Sequence, residues 1–156
     1  SFDRISSIEM LEAVGERYWP QFANTINNLL GPNGRVFIQT IVIQDLAFPT
    51  YRKNVDFIQK YIFPGGMLPS EGMLRHIFPK TSWLRLPSRH SSANYPNTLK
   101  QWAASFEKSW PKIQPLGFDI RFFRLWKYYL AYCEAGFRSG RLNLSQQILE
   151  RSSNGR

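Results

Sequence analysis

Glu12 is the residue of this chain whose type and position most directly suggest chemistry. It follows residues 2–10, a loosely alternating segment that has the pattern of a short β-strand running into a turn. Open α/β sheets contact their ligands at the carboxyl ends of the strands, so a carboxylate at this point is placed to meet a ligand. The alternative is an exposed carboxylate at the start of a helix. Burial would favour the first interpretation and would perturb the pKa of the carboxyl group.

Aromatic residues form the second group with chemical potential, and they crowd one segment near the end of the chain. Ring faces stabilise nearby cations, so such a segment can line a pocket in which positive charge develops. An aromatic stripe at helical spacing is also the pattern of an ordinary core, and both interpretations stay open. The residues concerned are Trp126, Tyr128, Tyr129, Tyr132 and Phe137.

The elements that hold these side chains follow from the spacing of apolar residues. A first strand is followed by a helix that begins near Arg17 or Trp19, has Pro20 in its first turn and reaches Leu30. Residues 31–34, Gly-Pro-Asn-Gly, are predicted to turn the chain into a buried strand over residues 35–43. Strand, helix, turn and buried strand make a βαβ unit, which indicates an α/β sheet.

The rest of the chain is predicted to alternate between helices and short strands. Four helices are predicted after residue 50, and a proline is expected to end each of the first three. These stops are Pro64, which is followed by two glycines, Pro79 and Pro111. Asp119 is a candidate N-cap for the fourth helix. The predicted helices cover residues 51–63, 70–76, 97–110 and 119–137, and the predicted strands cover residues 83–86 and 142–150.

Composition indicates a single folded domain over residues 1–156. The chain is 43% hydrophobic, which suffices for one core. Its single cysteine, Cys133, excludes an internal disulfide and a thiolate zinc site, is predicted to be a small buried hydrophobe, and favours a reducing, cytoplasmic location. His76 and His90 have no evident partner. Neither a signal peptide nor an apolar run of membrane-spanning length is visible.

The net charge of +9 lies in the second half of the chain. Residues 1–78 contain seven Lys/Arg and seven Asp/Glu, whereas residues 79–156 contain thirteen and four. A basic surface beside aromatic side chains suits an anionic membrane surface or a nucleic acid, and a merely solvated face has the same composition. No nucleic-acid-binding module is recognisable, so nucleic acid is an unlikely partner.

Three segments resemble one enzyme family. Residues 61–70, Tyr-Ile-Phe-Pro-Gly-Gly-Met-Leu-Pro-Ser, are similar to a signature of the cyclopropane-fatty-acid synthase family of S-adenosylmethionine-dependent methyltransferases. Residues 7–15 and 127–137 fall in the order and spacing of that family, and the resemblance covers nearly the whole chain except about residues 76–94. It implies the C-terminal part of an α/β, Rossmann-like methyltransferase sheet that lacks the N-terminal, glycine-rich cofactor-binding half.

The resemblance also implies a reaction. In the intact enzyme, the methyl carbon of S-adenosylmethionine would be transferred to the cis double bond of a phospholipid acyl chain to form a cyclopropane, and a bound bicarbonate would accept a proton. The chain by itself is expected to be inactive without its N-terminal half. The implied partners are unsaturated phospholipid acyl chains and an anionic membrane surface, with the protein peripheral on the inner membrane face.

The family's functional positions map onto this sequence with one departure. Glu12, Gln39, Ile41 and Tyr95 match the residues around the bicarbonate, Ile41 through its backbone. Gln39 stands where the family usually has histidine, and an amide cannot exchange a proton near neutral pH. Tyr95 has an alternative role as a helix-entry residue packed on Trp102. The acyl pocket is expected to include Tyr128, Tyr129, Tyr132 and Phe137.

Two other functions stay open at this stage. Gln39 and the Glu-Ala-Val-Gly turn look more like a branch of the family whose members make methyl- or methylene-branched acyl chains. A non-catalytic lipid- or membrane-binding module is the other alternative, and it would use the basic second half and an exposed sheet edge. Such an edge also favours self-association into a homo-oligomer.

Overall fold

The protein is described by a computed structural model over residues 1–79, 82–86 and 92–151. Its described residues form two compact units. The first takes its residues from Ser1–His90 and Asn143–Arg156, and the second from Ser91–Leu142. The prediction of one domain stays a prediction, because a division into compact units does not decide whether each unit folds alone.

The first unit contains a mixed four-stranded sheet. Its strands are β1 (Phe2–Ile8), β2 (Leu30–Ile43), β3 (Trp83–Leu86) and β4 (Leu142–Arg151), in the spatial order β1-β2-β4-β3. β1 and β2 pair parallel, whereas β3 and β4 pair antiparallel. Side-chain bonds join Arg35 to Glu150 and Gln39 to Gln146, so β4 also runs antiparallel to β2. The α/β sheet predicted from the sequence is confirmed.

The βαβ unit is confirmed, with one change at its turn. Helix α1 (Leu11–Val14) and a 3-10 turn precede α2 (Trp19–Leu29), which carries Pro20 in its first turn. The Gly-Pro-Asn-Gly segment lies inside β2 and does not separate it from α2. Phe2 pairs with Leu30 and Arg4 with Arg35, so three extra residues of β2 bulge between these pairs.

Three short helices connect β2 to β3. They are α3 (Phe48–Lys53), α4 (Phe57–Tyr61) and α5 (Glu71–Ile77). The single helix predicted over residues 51–63 is therefore wrong. Asn54 is extended and Asp56 caps α4, with its side chain accepting from the N–H of Gln59 while the Gln59 side chain accepts from Asp56. This capping box starts a new helix where apolar spacing alone predicted continuity.

The core of the first unit lies on one face of the sheet. Alternate residues of β2, among them Val36 and Ile38, pack against α2 and against Phe78, which follows α5. The rings of Phe78 and Trp83 meet edge to face at 5.7 Å between centroids. The cluster is completed by Ala23, Ile26, Leu30 and Leu149.

The second unit is a helical hairpin. It consists of α6 (Tyr95–Ile113), a 3-10 turn (Gln114–Leu116) and α7 (Ile120–Arg138). Pro111 was predicted to end α6, but the helix continues through it and the chain turns at Gly117, whose φ is 100°. The predicted N-cap of α7 is confirmed, because the Asp119 side chain accepts from the N–H of Phe122. A proline inside a helix removes one hydrogen bond and crowds the carbonyl of the preceding turn, and packing contacts such as that of Trp110 on Phe123 help to offset this cost.

Candidate active site

The candidate site of the first unit lies where β1 ends. Glu9 follows the strand with a φ of 51°, a left-handed conformation that costs a non-glycine residue free energy. Its N–H donates to the carbonyl of Gln39 at 2.8 Å, which continues the pairing of β1 with β2. Leu11 is fully buried, and its carbonyl accepts from the indole Nε1 of Trp19 at 3.1 Å. Together these contacts fix the short helix that presents Glu12.

The carboxyl group of Glu12 is largely removed from water. Its Oε1 accepts from the backbone N–H of Ile41 at 2.5 Å. Its Oε2 is buried and has no hydrogen-bond partner in the part of the chain that the structure describes. Burial raises the pKa of Glu12. Hydrogen bonds from the backbone of Glu12 and Ile41 and from the Thr40 side chain lower it in part, and the charge of Glu9 adds to the rise. The interpretation of Glu12 as an exposed carboxylate is therefore wrong.

Gln39 is held by its neighbours on both sides. Its Nε2 donates to Oε1 of Glu9 at 3.1 Å, and its Oε1 accepts from Nε2 of Gln146 at 2.7 Å. The three side chains form a row across β1, β2 and β4. An amide with an acceptor on one side and a donor on the other has a defined orientation. Gln39 thus presents a fixed N–H group where the resemblance led us to expect an imidazole.

The Pro-Gly-Gly segment supports the Glu12 turn through backbone contacts. The N–H of Met67 donates to the carbonyl of Glu12 at 2.9 Å. Gly15 has a φ of 77°, and a Cβ built there would lie 2.7 Å from the carbonyl oxygen of Gly65. Only glycine fits both the conformation and the space. Two of the segments that carried the family resemblance are therefore in direct contact.

The donors around Glu12 fit a small oxyanion such as bicarbonate. A raised pKa widens the pH range in which the carboxyl group is protonated, and in that form it can donate a hydrogen bond from the buried Oε2, which has no partner in the described chain. Gln39 supplies an amide N–H whose direction is set by Glu9 and Gln146. Ile41 was expected to offer its backbone to the anion, and in the structure its N–H donates to Oε1 of Glu12. Its contact with the carboxyl group makes it a support for that group.

The remaining predicted site residues belong to the second unit. Tyr95 is the first residue of α6, and its ring stacks on Phe137 with centroids 4.4 Å apart. The alternative considered in the sequence analysis had named Trp102 as the packing partner of Tyr95. On α7, Phe137 is buried, while Tyr128 is 55% and Tyr132 37% exposed. The ring of Tyr129 packs on Trp126 at 4.9 Å. Their roles toward an anion or an acyl chain stay predictions.

An apolar cleft of about 570 Å³ lies beside the edge strand β1. It reaches the Glu12 turn, since Met10 and Val14 contribute to its wall. Within the described residues, the buried hydroxyl of Ser7 in the same wall has no hydrogen-bond partner. The cleft is also lined by Ile5, Ser6, Tyr18, Gln21, Phe22, Thr25 and Ile26.

Residues 1–147 match the mycolic acid cyclopropane synthetase family. The chain belongs to this family. The crystal structure of the mycolic acid cyclopropane synthase CmaA1, complexed with SAH and CTAB, has the same fold with a TM-score of 0.83 at 24% identity, and the match covers 96% of this chain and 55% of that one.

Two relatives show where the chain stands among the cyclopropane synthetases. The tuberculostearic acid methyltransferase UfaA1 of Mycobacterium tuberculosis is 41% identical over 96% of this chain, and the cyclopropane-fatty-acyl-phospholipid synthase of Escherichia coli is 32% identical over the same share. The chain spans 35% and 38% of the lengths of these two proteins. It corresponds to their C-terminal part, as the sequence analysis predicted.

Sequence reasoning missed two residues of the candidate site, Glu9 and Gln146. Glu9 lies three residues before Glu12, and two carboxylates at one strand end were a usable signal. Gln146 was assigned to the closing strand without a partner. Its contact with Gln39 depends on β4 lying next to β2, which is a fact of sheet order that no local pattern contains.

Proposed function

We propose that this chain supplies the proton-handling side of an S-adenosylmethionine-dependent lipid methyltransferase. The observation that carries the proposal is the buried Glu12 carboxyl group, held by the N–H of Ile41, in a chain of the cyclopropane synthetase family. The reaction is transfer of the cofactor's methyl carbon to the double bond of an unsaturated acyl chain. The cofactor contacts are assigned to the N-terminal half of the intact protein, and none is assigned to residues of this chain.

The residues of this chain act by holding an anion and directing a proton. The acyl double bond gains a carbon, and the resulting carbocation must lose a proton to give a stable product. Bicarbonate, when bound, supplies a base for that proton. Glu12 and Gln39 orient it with their donors, and Ile41 keeps the Glu12 carboxyl group in place. Partial desolvation of Glu12 strengthens these interactions.

Two products share the same carbocation. Proton loss from the added carbon with bond closure to the cationic carbon gives a cyclopropane. A methylene branch forms when a hydride first shifts from the methylated carbon to its cationic neighbour, and the added carbon then loses a proton. The departure at Gln39 favours the branched product, because Gln39 and the Glu-Ala-Val-Gly turn resemble the branch of the family that makes branched acyl chains. The higher identity to a protein named as a methyltransferase of tuberculostearic acid favours it too. We therefore propose branch formation, with the cyclopropane predicted from the family signature as the second candidate.

The proposed partners follow from the substrate. Unsaturated phospholipid acyl chains lie in membranes, so the protein would work in the cytoplasm at the inner membrane face. No helix within the described residues is long and apolar enough to cross a membrane.

The edge strand β1 exposes Phe2 and Ile8, and we propose that it pairs with the N-terminal half of an intact enzyme or with a second copy.

Fatty-acid analysis by mass spectrometry tests the proposal. The polypeptide is incubated with S-adenosylmethionine, bicarbonate and vesicles of cis-unsaturated anionic phospholipid. A second reaction uses a hybrid in which this chain replaces the matched region of UfaA1, called the UfaA1 hybrid below. We expect a one-carbon gain from the hybrid and none from the chain alone. A folded hybrid that binds the cofactor but adds no carbon would refute the proposed function.

The product structure distinguishes the two candidates in the same experiment. A methylene branch supports the proposal, whereas a cyclopropane assigns the ring-forming reaction. The variant Gln39→His of the hybrid sharpens the result. If the amide directs the reaction toward branching, this variant shifts the product toward the ring.

A further inference from the structure

The turn between α6 and α7 exposes three apolar side chains, here called the hairpin tip. Leu116 is 75% exposed, Phe118 42% and Ile120 55%. The inner aromatic residues of the two helices pack on one another, with the ring centroids of Phe106 and Phe123 5.5 Å apart. The Phe118 ring packs on Phe122 at the edge of this cluster, with centroids 4.5 Å apart, and still keeps 42% of its surface exposed. Water contact on three neighbouring apolar side chains is unfavourable and marks an interaction surface.

Basic side chains flank the hairpin tip. Residues 106–127 contain five Lys/Arg and two Asp/Glu. Both carboxylates are engaged, since Asp119 caps α7 and Glu107 pairs with Lys127 at 2.6 Å. The other four basic residues are exposed and lie within about 12 Å of the tip along their helices, at 1.5 Å per residue. They are Lys108, Lys112, Arg121 and Arg124.

We propose that the hairpin tip inserts between the headgroups of an anionic phospholipid bilayer while these four basic side chains bind lipid phosphates. Exposed apolar residues beside Lys and Arg are the composition of a surface that lies in a membrane interface. A second copy of the chain would bring two positive tips together, which is electrostatically unfavourable. A nucleic acid would bind the basic residues but leave the apolar tip in water.

The inference deepens the proposed function, because it names the surface by which the protein reaches the lipids that contain its acyl substrate. Its test needs no turnover. The 156-residue chain can bind vesicles even if it transfers no methyl carbon. The UfaA1 hybrid can transfer a methyl carbon even if the hairpin tip does not bind vesicles. The two proposals can therefore be refuted separately.

Co-sedimentation with vesicles is the first test. We expect binding to vesicles that contain half phosphatidylglycerol, and at least tenfold weaker binding to pure phosphatidylcholine. A triple serine variant of the hairpin tip, with Leu116→Ser, Phe118→Ser and Ile120→Ser combined, should bind these vesicles at least tenfold more weakly. Matched control variants, Leu46→Ser and Val55→Ser, remove exposed apolar side chains of the first unit and should change binding less than twofold.

Charge neutralisation tests the basic residues. Each Lys or Arg near an anionic membrane strengthens binding about fivefold, equivalent to about 1 kcal/mol. The triple variant Lys112→Gln, Arg121→Gln and Arg124→Gln should therefore weaken binding about 100-fold at low salt. A matched Lys53→Gln variant should have little effect. Circular dichroism must show unchanged folding, which is expected because all these positions are exposed.

A fluorescent probe at the tip reports insertion directly. An environment-sensitive dye is attached to Leu116→Cys in a Cys133→Ser background, and a control dye to Leu46→Cys. We expect a blue shift on anionic vesicles, and quenching by lipid-phase quenchers, at position 116 only. Shifts at both positions or at neither would overturn the proposal.

Two further outcomes would assign the surface to another partner. Concentration-dependent dimerisation without lipid, lost in the triple serine variant and unaccompanied by vesicle binding, would assign the tip to a second copy. Binding of duplex DNA that needs the basic residues but not the tip, again without vesicle binding, would assign the basic residues to nucleic acid. Either result overturns the membrane proposal.

Discussion

Glu12 and Asp45 are two carboxylates of the first unit whose surroundings shift their pKa in opposite directions. The pKa of Glu12 is raised, chiefly by burial. The pKa of Asp45 is lowered, chiefly by a hydrogen bond from Ser70, then by the N–H of Gly72 at 2.8 Å, with a smaller contribution from Arg75. Asp45 is largely exposed, and its negative charge is met by donors at the start of α5.

The difference separates a structural carboxylate from a functional candidate. Asp45 improves the stability of the fold, because each donor it accepts from would otherwise lack a protein partner at a helix N-terminus. Glu12 instead keeps one buried oxygen without a partner in the described chain, which is unfavourable for folding. Buried polar atoms without a protein partner are found at active sites, because a bound ligand can supply the missing hydrogen bond.

The largest expected effect comes from Glu12→Gln. In the UfaA1 hybrid it should lower methyl transfer by about 100- to 1,000-fold, in the range of a proton-handling residue. The melting temperature at pH 7 should stay unchanged or rise, because an amide removes a carboxyl group that burial disfavours in its charged form. Asp45→Asn makes the same chemical change at the other carboxylate and should leave turnover within twofold. Near-normal turnover of Glu12→Gln would remove Glu12 from the site.

Gly15→Ala should give the next largest effect, on stability. The new Cβ would lie 2.7 Å from a backbone oxygen, and the φ of 77° is unfavourable for alanine. We expect the free energy of unfolding to fall by about 3 kcal/mol. Gly65→Ala is the matched control, since its φ is 84° but the space around its Cβ is open. It should lose only about 1 kcal/mol, and equal losses would show that the contact between the two turns is unimportant. Urea denaturation measures both.

Gln146→Leu should lower methyl transfer by the hybrid about tenfold, because Gln39 loses the donor that orients its amide. The loss should appear in kcat, with KM for the lipid nearly unchanged. Gln101→Leu makes the same change at an exposed position of α6 and serves as the control. Unchanged kcat in Gln146→Leu would show that the row of side chains across the sheet is only structural.

Asp45→Ala should lower the free energy of unfolding by about 1 kcal/mol, the usual contribution of a side chain that accepts from a helix N-terminus. Asp45→Asn retains an acceptor oxygen and should lose less than half of this amount. Thermal melts of the three proteins at pH 7 provide the measurement. An equal loss in both variants would mean that the charge beside Arg75, and not the hydrogen bonds, makes the contribution.

The smallest effect is on the pH dependence of stability. A raised pKa gives Glu12 a favourable contribution at low pH that is lost as pH rises from its ordinary value of 4.5 through its value in the fold. A lowered pKa gives Asp45 a contribution that is present above 3.8 and lost as pH falls through its value in the fold. Urea denaturation between pH 3 and 8 should therefore show opposite trends for Glu12→Gln and Asp45→Asn relative to the unmodified chain.

Much of the fold was predictable because it rests on local patterns. The apolar residues of β2, Pro20 at the start of α2 and Asp119 at the start of α7 act through their nearest neighbours. The errors occurred where packing or capping overrides a local signal. Trp110 packs on Phe123 across the hairpin and lets α6 continue through Pro111, which the sequence of α6 alone does not show.

The candidate site divides in the same way. The sequence by itself determined the family, the residue types and the position of Glu12 after a strand, because these are properties of contiguous segments. Only the tertiary structure decided that Oε2 of Glu12 is buried and that Gln146 orients Gln39. It also decided that Gly65 lies against Gly15. The physical reason is that burial and hydrogen bonding depend on which distant segments meet, and the pKa of a carboxyl group depends on both.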